Sequence, residues 1–104
     1  MAAPEQRTGL QARSRLLRER VVDLNSRLKD RRAKEFLQTS VFNHLDDVDD
    51  FLLADAKSGS SSTVWTSTWL DAAETMLRIA EQSFETFEVQ VKRYGGPEHV
   101  RLIG

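Results

Sequence analysis

The chain has 104 residues, no cysteine and a formal net charge of −1, with 30% charged and 8% aromatic residues. That length supports one domain with one modest core, and the lack of cysteine excludes disulfides, thiolate metal sites and a Cys nucleophile. No run approaches the roughly 20 apolar residues of a membrane helix.

The first ten residues lack the apolar stretch of a secretory signal. Glu5, Glu19, Asp23 and Asp30 argue against an organellar presequence, which is poor in acids. The expectation is an intracellular protein, cytoplasmic or nuclear. Charge is uneven: residues 1–35 hold ten Lys/Arg and five Asp/Glu, whereas residues 36–104 hold five and eleven. Either the two halves neutralise each other in the fold, or the basic half meets an anionic partner.

Residues 1–9 read as a flexible N-terminus, with Pro4 and Gly9, and Thr8 is a candidate cap. From Leu10 to about Gln38 the pattern is helical, with no internal Gly or Pro. Leu10, Leu17, Val21, Leu24 and Leu28 recur at helical spacing and form an apolar seam. Arg13, Arg20, Arg27 and Lys34 stand seven residues apart, so they form one row along one flank of that helix. A cation row beside a packing seam selects a partner of opposite charge.

The stripe loses phase after Leu28 and resumes at Phe36, Leu37, Val41, Leu45, Val48 and Leu52. A break at Thr39-Ser40, with Ser40 capping a second helix over about 41–56, accounts for the slip. A single long helix with a stutter accounts for it equally well. Lys57 to Thr63 (KSGSSST) reads as a loop. The third helix is expected over about 64–94, with a broad face of Trp69, Leu70, Ala73, Met76, Leu77, Ala80, Phe84, Phe87, Val91 and Tyr94. Gly95-Gly96-Pro97 ends it, and residues 95–104 form a tail or short strand.

The third helix has its own row at heptad spacing, Glu74, Glu81 and Glu88. Laid antiparallel to the first helix, it sets Arg13 against Glu88, Arg20 against Glu81 and Arg27 against Glu74. Self-pairing of the first helix would set like charges together, so a homodimer along it is disfavoured.

Chemistry is thinly signalled. Asp46, Asp47, Asp49 and Asp50 contain a D-D-x-x-D pattern that resembles the magnesium motif of prenyl-diphosphate enzymes, but the second acidic motif of that family is missing. Glu85 and Glu88 form an E-x-x-E that, with Asp46 and Asp49, resembles the paired acidic motifs of small all-helical nucleotide pyrophosphohydrolases, in the opposite chain order. That resemblance implies magnesium-dependent hydrolysis. The hairpin-like plan and Tyr94-Gly95-Gly96-Pro97-Glu98 resemble secreted WxG-type hairpins, although Thr66-Ser67 follow Trp65 where that family has its glycine. His44 and His99 lack converging partners, and the serines of the loop lack the strand-to-helix context of a nucleophile elbow.

The reading is an all-α protein, an antiparallel helical hairpin or three-helix bundle with coiled-coil-like long helices and one domain over 10–94. The function expected is a non-enzymatic protein–protein interaction module, an adaptor, regulator or small subunit, with no cofactor and no metal. Its partner is another protein with an acidic helical surface. Arg13, Arg20, Arg27 and Lys34 are the candidate electrostatic contacts. Leu17, Val21, Leu24 and Leu28 are the apolar contacts if the fold does not consume them. Trp65 and Trp69, one turn apart, are candidate anchors. The alternative is a nucleic-acid or nucleoprotein-binding regulator acting through the Arg-rich helix.

Overall fold

The computed structural model describes the backbone at residues 3–58 and 63–102 and the side chains at 5–57 and 69–102. It is all-helical: α1 (Ala3–Arg27), α2 (Arg31–Leu37), a π-turn (Gln38–Phe42), α3 (Asn43–Ser58), α4 (Thr63–Arg93) and a 3₁₀ turn (Pro97–His99). No described helix is long and apolar enough to cross a membrane. With α2, the π-turn and α3 running on as one arm, three arms make an up-down-up bundle of 51 × 22 × 18 Å. The ring stacks Phe36–Phe87 and Phe51–Trp69 set the middle arm antiparallel to α4.

The core is the set of stripes that periodicity marks. Leu10, Leu17, Val21 and Leu28 from α1 and its end meet Ala33, Leu37, Val41, Leu45, Val48 and Leu52 from the middle arm. Leu70, Ala73, Leu77, Ala80, Phe84, Phe87 and Val91 of α4 complete it. Burial of each larger side chain contributes about 1.5–3 kcal/mol, and these residues come from all three arms.

Several boundaries differ from expectation. α1 covers Ala3–Arg27, so residues 3–9 of the segment expected to be flexible are helical, and Thr8 lies inside the helix rather than capping it. The chain breaks at Leu28-Lys29-Asp30, not at Thr39-Ser40. Asp30 is the N-cap of α2: its backbone is extended, and its carboxylate accepts from the Ala33 N–H at 3.1 Å. A carboxylate there satisfies one of the donors that a helix start leaves open.

The slip at Thr39-Ser40 is real but has another remedy. Ala33, Leu37, Val41 and Leu45 are all fully buried and follow one another at intervals of four. In a 3.6-residue helix each interval of four drifts by about 40°. The wider π-turn at 38–42 absorbs the drift without breaking the arm. The helix is therefore continuous from Arg31 to Ser58, and Ser40 caps nothing.

The expected loop at 57–63 centres on residues outside the described ones. Lys57 and Ser58 end α3, and Thr63 begins α4. At the far end of α4, Gly95 N–H bonds the Lys92 carbonyl at 3.1 Å and Gly96 N–H bonds the Val91 carbonyl at 3.0 Å. This pair of bonds is the Schellman arrangement, and it needs the positive φ of +92° at Gly95. The tail then turns back onto the bundle instead of trailing away. Val100 is fully buried, and the Leu102 N–H donates to Asp30 at 3.0 Å.

Candidate surfaces for a partner

The arginine row of α1 is engaged inside the bundle. Arg13 Nη2 donates to Glu81 Oε1 at 2.7 Å, and its Nη1 lies 3.5 Å from Glu74. The hydrogen bond to Glu81 raises the Arg13 pKa above its ordinary value; desolvation opposes it, and the charges of Glu81 and Glu74 add to it. Arg20 Nη2 donates to Glu88 at 2.8 Å, and its guanidinium carbon stands 5.1 Å from the centre of the Phe84 ring. The two ladders do meet, but in the reverse direction. Arg13 faces Glu81 and Glu74 rather than Glu88, and Arg20 faces Glu88 rather than Glu81. α1 therefore runs parallel to α4. A heptad ladder reads the same in both directions, and only the topology decides between them.

The flank of α1 toward α3 is pinned as well. Arg7 Nε donates to the fully buried Asp55 at 2.6 Å. Arg18 Nη2 bridges Asp46 at 3.2 Å and Asp49 at 2.9 Å. The buried Ser14 hydroxyl lies 3.5 Å from Asp49. Every cross-helix ion pair among the described residues thus takes its cation from α1. Arg7 and Arg18 escaped the sequence reading because they stand off the heptad row. The signal for Arg18 was the acidic run on α3, whose Asp46 and Asp49 face it; Arg7 meets Asp55, outside that run, and had no such signal.

The remaining sequence candidates separate. Leu17, Val21 and Leu28 are buried and Leu24 is half-buried against the core, so that seam is consumed. Among the described residues Arg27 pairs only along its own helix, with Asp23 at 3.3 Å, instead of with Glu74. Lys34 is exposed on α2, beyond the chain break, and is not part of the α1 row. Trp69 is half-buried and stacks on Phe51, with ring centres 5.9 Å apart. The Trp65 side chain lies outside the described ones.

The candidate catalytic carboxylates are not brought together. Asp46 and Asp49 are tied to Arg18 on the α1 side of α3, and Glu88 is tied to Arg20. Among the described residues no group of three or more His, Asp or Glu is placed to hold a metal ion. His44 is half-buried, with Nδ1 enclosed, whereas His99 is exposed in the 3₁₀ turn.

Two surfaces remain open. One is the outward side of α1, where Arg15, Arg18, Glu19, Val22, Asp23 and Ser26 line a shallow depression. Val22 is 52% exposed there, and Leu16, about 120° round the helix and outside the depression, is 61% exposed. The other is the end of the bundle where α1 and α4 finish and α2 starts. Lys29, Arg32, Lys34, Lys92 and Arg93 are exposed there and make no ion pair among the described residues. Of the acids nearby, Asp23 pairs with Arg27, Glu35 with Arg31 and Asp30 with two backbone N–H groups, while Glu98, exposed in the 3₁₀ turn, makes no ion pair among the described residues.

The chain matches no protein-family model, no curated protein and no solved structure.

Proposed function

We propose that the chain is a non-enzymatic protein–protein interaction module, an intracellular adaptor, regulator or small subunit of a larger assembly. It docks through the outward side of α1 onto a protein with an acidic helical surface. The supporting observation is the exposed Val22 in that depression, with Leu16 exposed farther round the same helix, whose inner face is already clamped. Arg15 borders the same depression, whereas Arg18 on its edge is already held by Asp46 and Asp49. An apolar centre with a charged rim is the usual anatomy of a docking patch, and the rim cations steer an acidic partner.

The test is a Leu16→Asp/Val22→Asp variant. Both positions are exposed, so helix content and melting temperature stay within a few degrees of the parent chain. A partner that co-purifies with the parent chain from its native source is lost. Recovery of the same partner in equal yield removes this reading.

Nucleic-acid binding is the second reading. The observation that favours it is the set of five cations at the end of the bundle that make no ion pair among the described residues. It no longer runs through the arginine row, because Arg7, Arg13, Arg18 and Arg20 are held by carboxylates.

A further inference from the structure

We propose that the outward face of α4 pairs with the same face of a second copy of the chain, antiparallel, about a two-fold axis beside Gln82. This surface is separate from the outward side of α1.

The face carries a row of charge that the internal ladders do not use. Asp71, Arg78, Glu85 and Lys92 stand seven residues apart on α4, and all four are exposed. The other row of this helix, Glu74, Glu81 and Glu88, is held by Arg13 and Arg20 of α1. Asp71, Glu85 and Lys92 make no ion pair among the described residues. Arg78 reaches Glu74 on its own helix, at 3.4 Å, and its side chain stays 64% exposed. Neighbours in the row are about 10 Å apart along the helix, too far to pair with one another.

Beside the row runs a stripe without charge. Thr75, Ile79, Gln82, Thr86 and Val89 alternate intervals of four and three, the spacing of a helix-pairing seam. All five are exposed, Ile79 at 38% and Val89 at 49%. The core side of α4, with Ala73, Leu77, Phe84 and Val91, points the opposite way.

The signs choose the partner. In chain order the row reads minus, plus, minus, plus. A second copy laid antiparallel sets Asp71 against Lys92 and Arg78 against Glu85, each pair occurring twice. A parallel copy sets every charge against itself, which costs free energy. A wholly acidic or wholly basic partner helix matches only half of the row. A two-fold contact is self-complementary by construction, and this row is self-complementary in one direction only. The axis then falls midway between Arg78 and Glu85. Gln82 meets Gln82 of the second copy there, and a carboxamide both donates and accepts, so that pair satisfies itself. Ile79 falls between Gln82 and Thr86 of the second copy, and Val89 falls between its Ala72 and Thr75. From Asp71 to Lys92 the contact runs about 32 Å and is one helix, about 10 Å, wide. That is less than the about 800 Å² per partner of a stable complex, so the dimer is weak and charge sets its register.

The test is sedimentation equilibrium of the full chain from about 10 µM to about 1 mM at low salt. The weight-average mass rises from 11.9 kDa toward twice that value. About 0.5 M salt lowers it again, because exposed pairs are screened. Arg78→Glu and Glu85→Arg, each alone, oppose like charges twice across the axis and weaken dimerisation about 10- to 100-fold. Both sites are exposed, so circular dichroism shows the helical content and melting temperature of the parent chain nearly unchanged. An equimolar mixture of the two variants regains the dimer, and so does the Arg78→Glu/Glu85→Arg chain.

A chain that stays at 11.9 kDa throughout overturns the proposal; a different protein that the parent chain retains and Arg78→Glu releases then takes this face instead. A dimer indifferent to both reversals overturns the assignment to α4. Reversals that weaken the dimer without rescue by mixing overturn the antiparallel pairing.

Discussion

Arg20 is held between a carboxylate and a ring: Glu88 accepts from its guanidinium at 2.8 Å, and Phe84 lies beneath it at 5.1 Å. Phe84 is almost fully buried, so this cation covers the rim of the core as well as pairing a charge. The two contacts together are worth about 1–2 kcal/mol. Arg20→Gln lowers the urea-derived stability by that amount. Arg27→Gln, which loses only an exposed pair along its own helix, changes it by less than about 0.5 kcal/mol.

The Arg13–Glu81 pair tests the ladder by exchange. Glu81→Arg sets two guanidiniums side by side and costs about 1 kcal/mol or slightly more. Arg13→Glu added to it restores most of the loss, while Arg13→Glu added to Glu88→Arg does not. Chemical denaturation of the parent chain, the Arg13→Glu, Glu81→Arg and Glu88→Arg single variants and the two doubles, at low and at high salt, reads the coupling.

Asp30 joins two things that the sequence keeps 72 residues apart, since one carboxylate oxygen accepts from both Ala33 and Leu102. Removing a cap costs about 0.5–2 kcal/mol, and the lost tail bond adds to that. Asp30→Ala therefore destabilises by about 1–3 kcal/mol. It also speeds hydrogen exchange at Leu102 far more than at the core amides of α4. Equal acceleration at both places contradicts a tail docked on this cap.

The π-turn is needed for register. The turn already houses one extra residue, so inserting an alanine after Thr39 exceeds what it absorbs and turns α2 by about 100° relative to α3. Ala33 and Leu37 then leave the core. Their combined loss is about 2–5 kcal/mol, with helical content by circular dichroism nearly unchanged. An insertion variant as stable as the parent contradicts a register set at this turn.

Helical class and core were legible because burial follows period. Leu17, Val21, Leu37, Leu45, Phe84 and Val91 were all marked by spacing alone. Three things were not legible. The break needed a cap, and Asp30 is a good one, but the phase slip pointed ten residues downstream to a place where a wider turn suffices. The ladder's direction was ambiguous by symmetry: Glu74, Glu81 and Glu88 fit Arg13, Arg20 and Arg27 either way. The basic end is built from residues 29–34 and 92–93, which share no local pattern and meet only because α1 and α4 finish together. Sequence reasoning placed the candidate electrostatic surface on Arg13 and Arg20 because their spacing is regular. In a bundle that clamps its first helix, regular spacing is also what internal pairing produces.

The measurement that decides most directly is a pair of spin-label distances in the naturally cysteine-free chain. With α1 parallel to α4, Arg27→Cys and Lys92→Cys place their labels close together, within about 20 Å. Gln11→Cys and Lys92→Cys then stand about 25–30 Å apart, from the helical rise over the intervening turns. A short distance for the second pair and a long one for the first means that α1 lies antiparallel to α4. The internal arginine clamp and the basic end assembled around it would then both be wrong.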